Sequence, residues 1–492
     1  MRVFPLPIRL LAITLALLLC LPLPAAAEDG RIQLPDLGAT AGNVIPIAVE
    51  RAYARTLIHR MREAGILVED PQITAFFADM GYNLASHSDE PDRPYYFVVL
   101  DEPHLNAFAA PGGVIALHSG LILEASEESE VAGVLSHEIA HITQQHTARA
   151  LEQARQVSIP LMLAMLGLIL ASGGSGEVAQ AAVIGSQAAS IQSQINFTRQ
   201  NEYEADRIGI ATLAAAGYRP QGMAGFFEKM SRIYRGLANR VPEYLRTHPV
   251  TTSRIAEAKN RASLLPASDF IESIDFHLMQ ARLRALTADK PEAAIAHFRD
   301  ALDRNEGLFA EAHEYGMSLA LLRAGKPQES RQIISRLLAA SPEKLAYQIQ
   351  QAETDMEAGD KEKAFRRFSR LHYQFPGNTV VTMHYSQALL STGEQDDAVL
   401  AEEMLKQHLV SIGDQPQVYE LYARAADKAG NTVRASEAMA ESFYLRGEIG
   451  GAIYQLEQLS KRDDLDYYQR ARISSRLSEM KVELAQYLRS QG

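Results

Sequence analysis

The chain has 492 residues, and 47% of them are hydrophobic, which is enough to fill the cores of two or three domains and excludes a disordered protein. Its net charge of −12 has the wrong sign for binding nucleic acid or an anionic lipid surface. We therefore expect no nucleic-acid partner and at most a peripheral membrane contact. A single cysteine excludes a disulfide framework.

Residues 1–27 predict a secretory signal peptide. Arg2 and Arg9 precede an apolar run, and a proline break then leads to the small residues that end at Ala27. Cleavage after Ala27 removes both arginines and the cysteine, so the mature chain has a net charge of −14. We expect an exported protein.

Residues 40–262 are predicted to form one domain in which helices pack around a small sheet. Helical patterns cover about 45–65 and 71–87. Apolar runs at 95–100 and 114–118 follow them and are typical of strands.

The segment from Asn106 to Gly113 has two interpretations. Pro111, Gly112 and Gly113 are typical of a simple hairpin turn. Alternatively, the strand that begins near Asn106 is a sheet edge, to which an extended polypeptide adds by main-chain hydrogen bonds. The second interpretation makes Asn106 a possible substrate contact, and the sequence does not choose between the two.

His137, Glu138 and His141 form an H-E-x-x-H pattern within a helical stretch. Four residues make about one helical turn, so both imidazoles project from one face and can bind a single Zn²⁺. Ser126 is predicted as the N-cap of this helix, and Val131 begins its apolar periodicity. The pattern predicts a zinc peptidase in which Glu138 is the general base. The alternative is a helix with two ordinary histidines, which a third ligand would exclude.

We predict that the third ligand is Glu202. On a continuous helix His146 would lie nearly opposite His137, so we expect it to be solvated or to lie in a layer behind the ligands. Glu202 and Asp206 share one helix face, whereas Glu204 points away. Glu202 would complete a His₂Glu site for one zinc ion per chain, with water in the fourth position. Asp206 would either fix an imidazole or donate a proton to the leaving amine. The competing interpretation of these acids is a solvated helix face.

Residues 159–171 are almost wholly apolar, and glycines and serines follow them up to residue 176. This run is shorter than the roughly 20 residues that cross a bilayer. Three interpretations of this segment remain open: a buried helix, an interfacial helix at a membrane, and a lid hinged on the glycines. Because 159–176 lies between the two ligand segments, a lid over the active site is favoured.

His248 is a second candidate contact for the zinc ion. A neutral imidazole held there would occupy the water position and keep the enzyme inactive. The equally weighted alternative is a structural histidine bonded to the zinc helix. Pro249 stiffens this loop. Arg254 is predicted to contact Asp206 or substrate.

Residues 268–492 predict a tetratricopeptide-repeat domain. Three glycines recur every 34 residues, which is the period of that repeat: Gly325, Gly359 and Gly393. Five residues after each glycine stands a small side chain where paired helices must approach closely: Ser330, Ala364 and Ala398. We predict four repeats and an irregular end. Such a solenoid usually binds extended chains or partner proteins rather than carrying out chemistry.

Four motifs together resemble the HtpX-like gluzincin metallopeptidases: those at 106–113, 137–141, 202–206 and 247–249. The resemblance implies a mainly α fold, with a gluzincin-type zinc peptidase domain followed by a tetratricopeptide-repeat α-solenoid. It also implies His137, His141 and Glu202 as zinc ligands, Glu138 as the catalytic glutamate and Asp206 as an active-site acid.

Within that family the chain is similar to periplasmic members that carry repeats. This similarity implies a zinc endopeptidase with a chaperone-like role, which serves outer-membrane protein assembly and degrades misfolded or stalled envelope proteins. The implied partners are unfolded or misassembled outer-membrane proteins and the barrel-assembly machinery. The alternative is a chaperone or scaffold that acts through its repeats while the peptidase is usually closed.

Overall fold

The computed structural model describes residues 47–153, 199–236, 244, 247–304, 309–412 and 415–490. The predicted signal peptide and the predicted lid or interfacial helix at 159–176 lie outside these ranges. Within them, no helix is both long and apolar enough to cross a membrane.

Two helices and three short strands begin the described chain. They are α1 (Ile47–Glu63), α2 (Pro71–Ser86), β1 (Tyr96–Leu100), β2 (Ala107–Ala110) and β3 (Val114–His118). These bounds agree with the predicted segments to within two residues. Helix α2 begins after Asp70, whose carboxylate accepts a hydrogen bond from the Ile73 N–H at 3.1 Å.

The sheet has the order β1-β3-β2. Strand β1 runs parallel to β3, and β2 pairs antiparallel with β3 in the described structure, which leaves the other side of β2 as a sheet edge. Gly112 and Gly113 turn between β2 and β3 with φ of 82° and 84°. A Cβ at Gly113 would lie 2.0 Å from the Pro94 carbonyl oxygen, so a larger residue does not fit. The segment is therefore both a hairpin and an edge, and the two interpretations are compatible.

The described residues of the amino-terminal half contain six further helices. They are α3 (Ser119–Glu124), α4 (Glu128–Thr143), α5 (His146–Gln153), α6 (Arg199–Ala215), α7 (Gln221–Gly236) and α8 (Thr252–Leu264). All residues of α4 are buried, so this helix is central and not amphipathic.

The prediction that Ser126 caps α4 is wrong. The residue before the helix is Glu127, and its side chain makes no capping hydrogen bond. Instead the Glu128 N–H donates to Glu272 Oε1 at 2.7 Å, and the Ser126 N–H donates to Glu130 Oε2 at 2.6 Å. Because α4 is buried, its first N–H groups find acceptors elsewhere in the fold.

Twelve helices are described in the carboxy-terminal half. They are α9 (Ile274–Thr287), α10 (Pro291–Asp303), α11 (Ala310–Arg323), α12 (Pro327–Ala340), α13 (Leu345–Glu357), α14 (Lys361–Gln374), α15 (Thr379–Ser391), α16 (Gln395–Ile412), α17 (Pro416–Lys428), α18 (Thr432–Leu445), α19 (Ile449–Ser460) and α20 (Tyr467–Ser490). The three periodic glycines lie between helices and have φ of 71°, 84° and 79°. The small side chains five residues after them are fully buried. Helix pairing continues past the four predicted repeats into the predicted irregular end. The sequence does not show these later pairs, because their glycine spacings drift from 34 and hide the period.

The two halves touch, a point on which the sequence is silent. Arg282 on α9 donates to both carboxylate oxygens of Asp70 at 2.7 and 2.6 Å. Arg55 on α1 donates to Glu483 on α20 at 2.8 Å. The first and last repeat helices are thus both tied to the amino-terminal half. The predicted first domain ends at residue 262, inside the last turn of α8, and the predicted second domain begins at 268, before α9.

Candidate metal centre

The predicted site residues come from three segments that converge. Helix α4 carries His137, Glu138 and His141, and helix α6 packs along it. The contact is close at Gly209, where a Cβ would lie 3.1 Å from the His137 backbone nitrogen. This approach brings Glu202 on α6 to the histidines.

Four donor groups lie together and are buried: those of His137, His141, Glu202 and His248. The Nε2 atoms of His137 and His141 are 3.0 Å apart. Glu202 places Oε2 3.5 Å from His137 Nε2 and Oε1 3.5 Å from His141 Nε2. His248 Nδ1 lies 3.3 Å from His137 Nε2 and 3.2 Å from Glu202 Oε1.

These separations fit a tetrahedral metal site. Donor atoms about 2.0–2.1 Å from a Zn²⁺ ion are separated from one another by about 3.3 Å. The five measured distances, 3.0 to 3.5 Å, bracket that value. Three imidazole nitrogens and one carboxylate oxygen are a donor set that suits zinc and related divalent metals. The residues present therefore fit a metal ion.

Asp206 lies behind the donor cluster. One of its carboxylate oxygens is 3.0 Å from His137 Nδ1, the ring nitrogen that faces away from the cluster. Arg254 holds the same carboxylate with two hydrogen bonds of 2.7 Å and places NH1 2.8 Å from Glu202 Oε2. This geometry favours the role of an acceptor that orients His137.

The opposite charges in this cluster stabilise one another's ionised forms. Burial raises the pKa of Asp206, but hydrogen bonds from Arg254 and His137 outweigh burial and hold that pKa below its usual value. Burial lowers the pKa of His137, but Asp206 and Glu202 raise it to about 9. A carboxylate held ionised by a buried arginine is a poor proton donor, which disfavours the second predicted role of Asp206.

Glu138 is buried beside the donors. Its Oε1 has no hydrogen-bond partner among the described residues and lies 3.6 Å from His248 Nε2. His248 is itself held by Tyr244, whose ring lies 4.9 Å from the imidazole and whose carbonyl accepts the His248 N–H at 2.7 Å. His248 therefore lies between the glutamate and the other donors.

His146 does not follow a continuous helix. Gln145 has a φ of 52°, which ends α4 and turns the chain into α5. His146 is buried, and its Nδ1 lies 2.7 Å from His141 Nδ1. Its Nε2 lies 3.1 Å from Glu204 Oε2, which also accepts from Arg149 at 2.9 Å. Of the two expected positions, solvated or behind the ligands, the structure shows the second, which the chain reaches through a turn rather than along a continuous helix. No local pattern in the sequence marks this Glu204–His146–His141 chain, because it depends on the turn at Gln145.

Asn106 is buried next to β2, with its side-chain oxygen 3.0 Å from the Ala107 nitrogen. It lies outside the donor cluster, and its contact with substrate stays a prediction. The end of β2 and the glycine turn line a cavity of 530 Å³ that His141 also lines. The end of β2 therefore shares a cavity with one residue of the donor cluster.

Comparison with known proteins agrees with this geometry. The model of Peptidase family M48 matches residues 71–262. The Beta-barrel assembly-enhancing protease of Escherichia coli is 32% identical over 457 residues, which cover 93% of each chain. The Putative beta-barrel assembly-enhancing protease of Vibrio cholerae is 31% identical over 95% of this chain and 96% of its own. Mitochondrial metalloendopeptidase OMA1 of Arabidopsis thaliana is 30% identical over 36% of this chain and 32% of its own. The likeness runs through both halves of the chain, which belongs to the family of the beta-barrel assembly-enhancing proteases and is a metallopeptidase.

Proposed function

We propose that this protein is a periplasmic zinc endopeptidase that serves the assembly and quality control of outer-membrane proteins and degrades misfolded or stalled envelope proteins. The observation that carries the peptidase part is the spacing of the four buried donors, 3.0 to 3.5 Å, beside a Glu138 oxygen that has no hydrogen-bond partner among the described residues. The assembly role is supported by the names of the relatives in Escherichia coli and Vibrio cholerae.

His137, His141 and Glu202 would hold one zinc ion per chain, which when bound lowers the pKa of water towards neutrality and polarises a peptide carbonyl. Glu138 takes a proton from the attacking water and passes it to the leaving amine. Asp206, fixed by Arg254, keeps His137 in the tautomer whose Nε2 is free to bind metal.

His248 restrains the enzyme in this proposal. Its Nδ1 lies where a fourth donor belongs, and its Nε2 lies 3.6 Å from the catalytic carboxylate. An imidazole in that place excludes the attacking water, so the described conformation is the closed one. Activity then requires His248 to move away.

The free edge of β2 offers a place for the substrate. A polypeptide that pairs with this edge is bound through its main chain, so the enzyme would accept many sequences. Asn106, just before β2, fixes the start of the strand by its side-chain contact with the Ala107 nitrogen. The repeats would select or hold the polypeptides that reach this edge.

The experiment is hydrolysis of casein by the purified mature chain, with and without a zinc chelator. We expect chelation to abolish cleavage and Glu138→Gln to lower kcat by about 10²–10⁴-fold. His248→Ala should raise basal cleavage, while the exposed His104→Ala should leave it unchanged. Absence of cleavage by every form at full zinc occupancy would contradict the peptidase proposal, and an unchanged or lower rate for His248→Ala would contradict the restraint.

The second candidate function is a chaperone or scaffold that acts through its repeats. The burial of all four donors and of Glu138 favours it, because such a site is usually closed. In cells, Glu138→Gln discriminates the two: loss of the protective effect supports proteolysis, and its retention supports the scaffold. The exposed Glu357→Gln is the matched control.

A further inference from the structure

A second cavity lies where the turn before α4 meets the first repeats. We name it the junction cavity. It has a volume of 580 Å³, and residues 123–127 and helices α9 to α11 line much of it. That volume is within the range of about 300–1,000 Å³ that ligand sites occupy. No donor of the metal centre lines it, so it is a separate feature of the fold.

The acids of the junction cavity already have partners. Glu127 accepts a hydrogen bond from Arg219 at 2.9 Å. Glu272 accepts the Glu128 N–H at 2.7 Å and lies 3.4 Å from His277 Nε2. The charge of Glu127 is therefore offset by Arg219, and Glu272 is occupied by the Glu128 N–H.

Arg284 differs from these acids because it has no direct partner among the described residues. It is half-buried on α9, lines the cavity and forms no salt bridge or hydrogen bond with the described residues. Burial lowers the pKa of Arg284, and Glu124 only partly opposes that effect. A half-buried guanidinium without a direct ion pair retains a charge that Glu124 compensates only in part.

Two imidazoles, those of His297 and His313, line the same cavity. Burial lowers the pKa of His297 to about 4, and the charges of Arg284 and His313 add to that effect. Arg284 is thus the cation on this side of the cavity, and His297 beside it is neutral at pH 7.

Another part of the cavity lining is apolar. The rings of Phe298 and Phe309 and the side chain of Leu123 are apolar, and the His277 ring stacks on Phe309 at 4.3 Å. An inorganic anion would leave these surfaces without contacts. A ligand that suits the cavity carries one anionic group and an apolar body.

We propose that the junction cavity binds the carboxyl terminus of an unfolded polypeptide, with the carboxylate on Arg284 and an apolar last side chain against Leu123 and Phe309, which are both only partly buried. This inference rests on the proposed action of the enzyme on polypeptides. Residue 127 precedes His137 by ten helical positions, or about 15 Å along the helix axis. A chain held by its end at this cavity is therefore kept near the metal centre.

The test measures binding without cleavage, so it does not depend on the proposed proteolysis. A fluorescent hexapeptide that ends in phenylalanine is titrated with Glu138→Gln protein, once with a free carboxylate and once with an amidated end. We expect the free carboxylate to bind at least about tenfold more tightly, since a charge-assisted hydrogen bond contributes about 1.5–3 kcal/mol.

Arg284→Gln should abolish the preference for the carboxylate, and Arg284→Lys should retain part of it. Arg299→Gln, on the exposed side of α10, is the matched control and should keep the full preference. Equal binding of the two peptides, or an intact preference in folded Arg284→Gln, would overturn the proposal. So would competition by inorganic phosphate that is as strong as competition by the peptide.

A second readout does not involve the arginine variant. The peptide carboxylate should raise the pKa of His297 from about 4 towards its ordinary value, because it offsets the charge of Arg284. Titration of the histidine NMR signals with the carboxylate and amide peptides measures this shift. A His297 titration that is the same with both peptides would place the ligand elsewhere.

Discussion

In the metal centre, side chains from α4, α6 and the loop before α8 meet in one buried cluster, whereas each repeat helix mainly contacts the helices one or two places along the chain. The charges of the centre are stabilised by partners far away in sequence, such as Arg254 for Asp206 and Glu202. The repeats depend on local features: a glycine turn and a small buried side chain.

This difference predicts how each region responds to substitution. Removing one member of a buried charge cluster leaves the others unpaired. The resulting loss in the free energy of unfolding is therefore large, and it affects several residues of the cluster. Removing one feature of a repeat affects an interface between neighbours, so the cost is small and local.

The largest effect is expected for Arg254→Met. It leaves the buried carboxylates of Asp206 and Glu202 without their cation, which should lower the free energy of unfolding by about 3–5 kcal/mol. Urea unfolding of the metal-free chain measures it. Arg261→Met, on the same helix, removes only an exposed pair with Glu257 and should cost no more than about 0.5 kcal/mol. Similar losses in both variants would remove the distinction between buried and exposed pairs.

A pH-dependent effect is expected at Glu128, where α4 meets the segment that leads into the repeats. Burial, and then Glu272 and Asp275, raise the pKa of Glu128 to about 7. The folded chain therefore holds this proton more tightly than the unfolded chain does. The resulting stability is full below about pH 4.5 and is lost as the pH rises through about 7, by about 3 kcal/mol.

Glu128→Gln should remove that part of the pH dependence. The measurement is the free energy of unfolding at pH 5, 6, 7 and 8, taken as the difference between variant and parent. The exposed Glu357→Gln is the control. A difference that stays constant from pH 5 to pH 8 would show that Glu128 titrates normally.

The smallest effect is expected in the repeats. Gly359 has a φ of 84°, and a Cβ there would contact nothing within 4 Å, so Gly359→Ala costs only backbone strain, about 1 kcal/mol. Gly450→Ala, inside α19 and equally free of contacts, should be neutral or stabilising by up to about 1 kcal/mol. Thermal unfolding distinguishes the two directions. A loss at Gly359 as large as that of Arg254→Met would mean that the repeats are as interdependent as the metal centre.

Local patterns in the sequence predicted much of the site and the fold. His137 and His141 share a helix face because four residues make about one turn, whatever surrounds the helix. The 34-residue spacing of Gly325 and Gly359 likewise predicts helix pairs, because each pair repeats the same turn. The prediction left an irregular end after four repeats, and the helices there continue to pair although the later glycine spacings drift from 34.

What the sequence by itself determined is therefore whatever backbone periodicity sets: the ligand pair on one helix, the short strands and the repeat architecture. Only the tertiary structure decided that His248 lies among the donors, 3.3 Å from His137 across 111 positions of the chain. It also decided that His146 lies behind His141 and that Arg284 lines a cavity without a salt bridge to any described residue. Contacts between distant segments depend on how whole helices pack, and no short pattern encodes that packing.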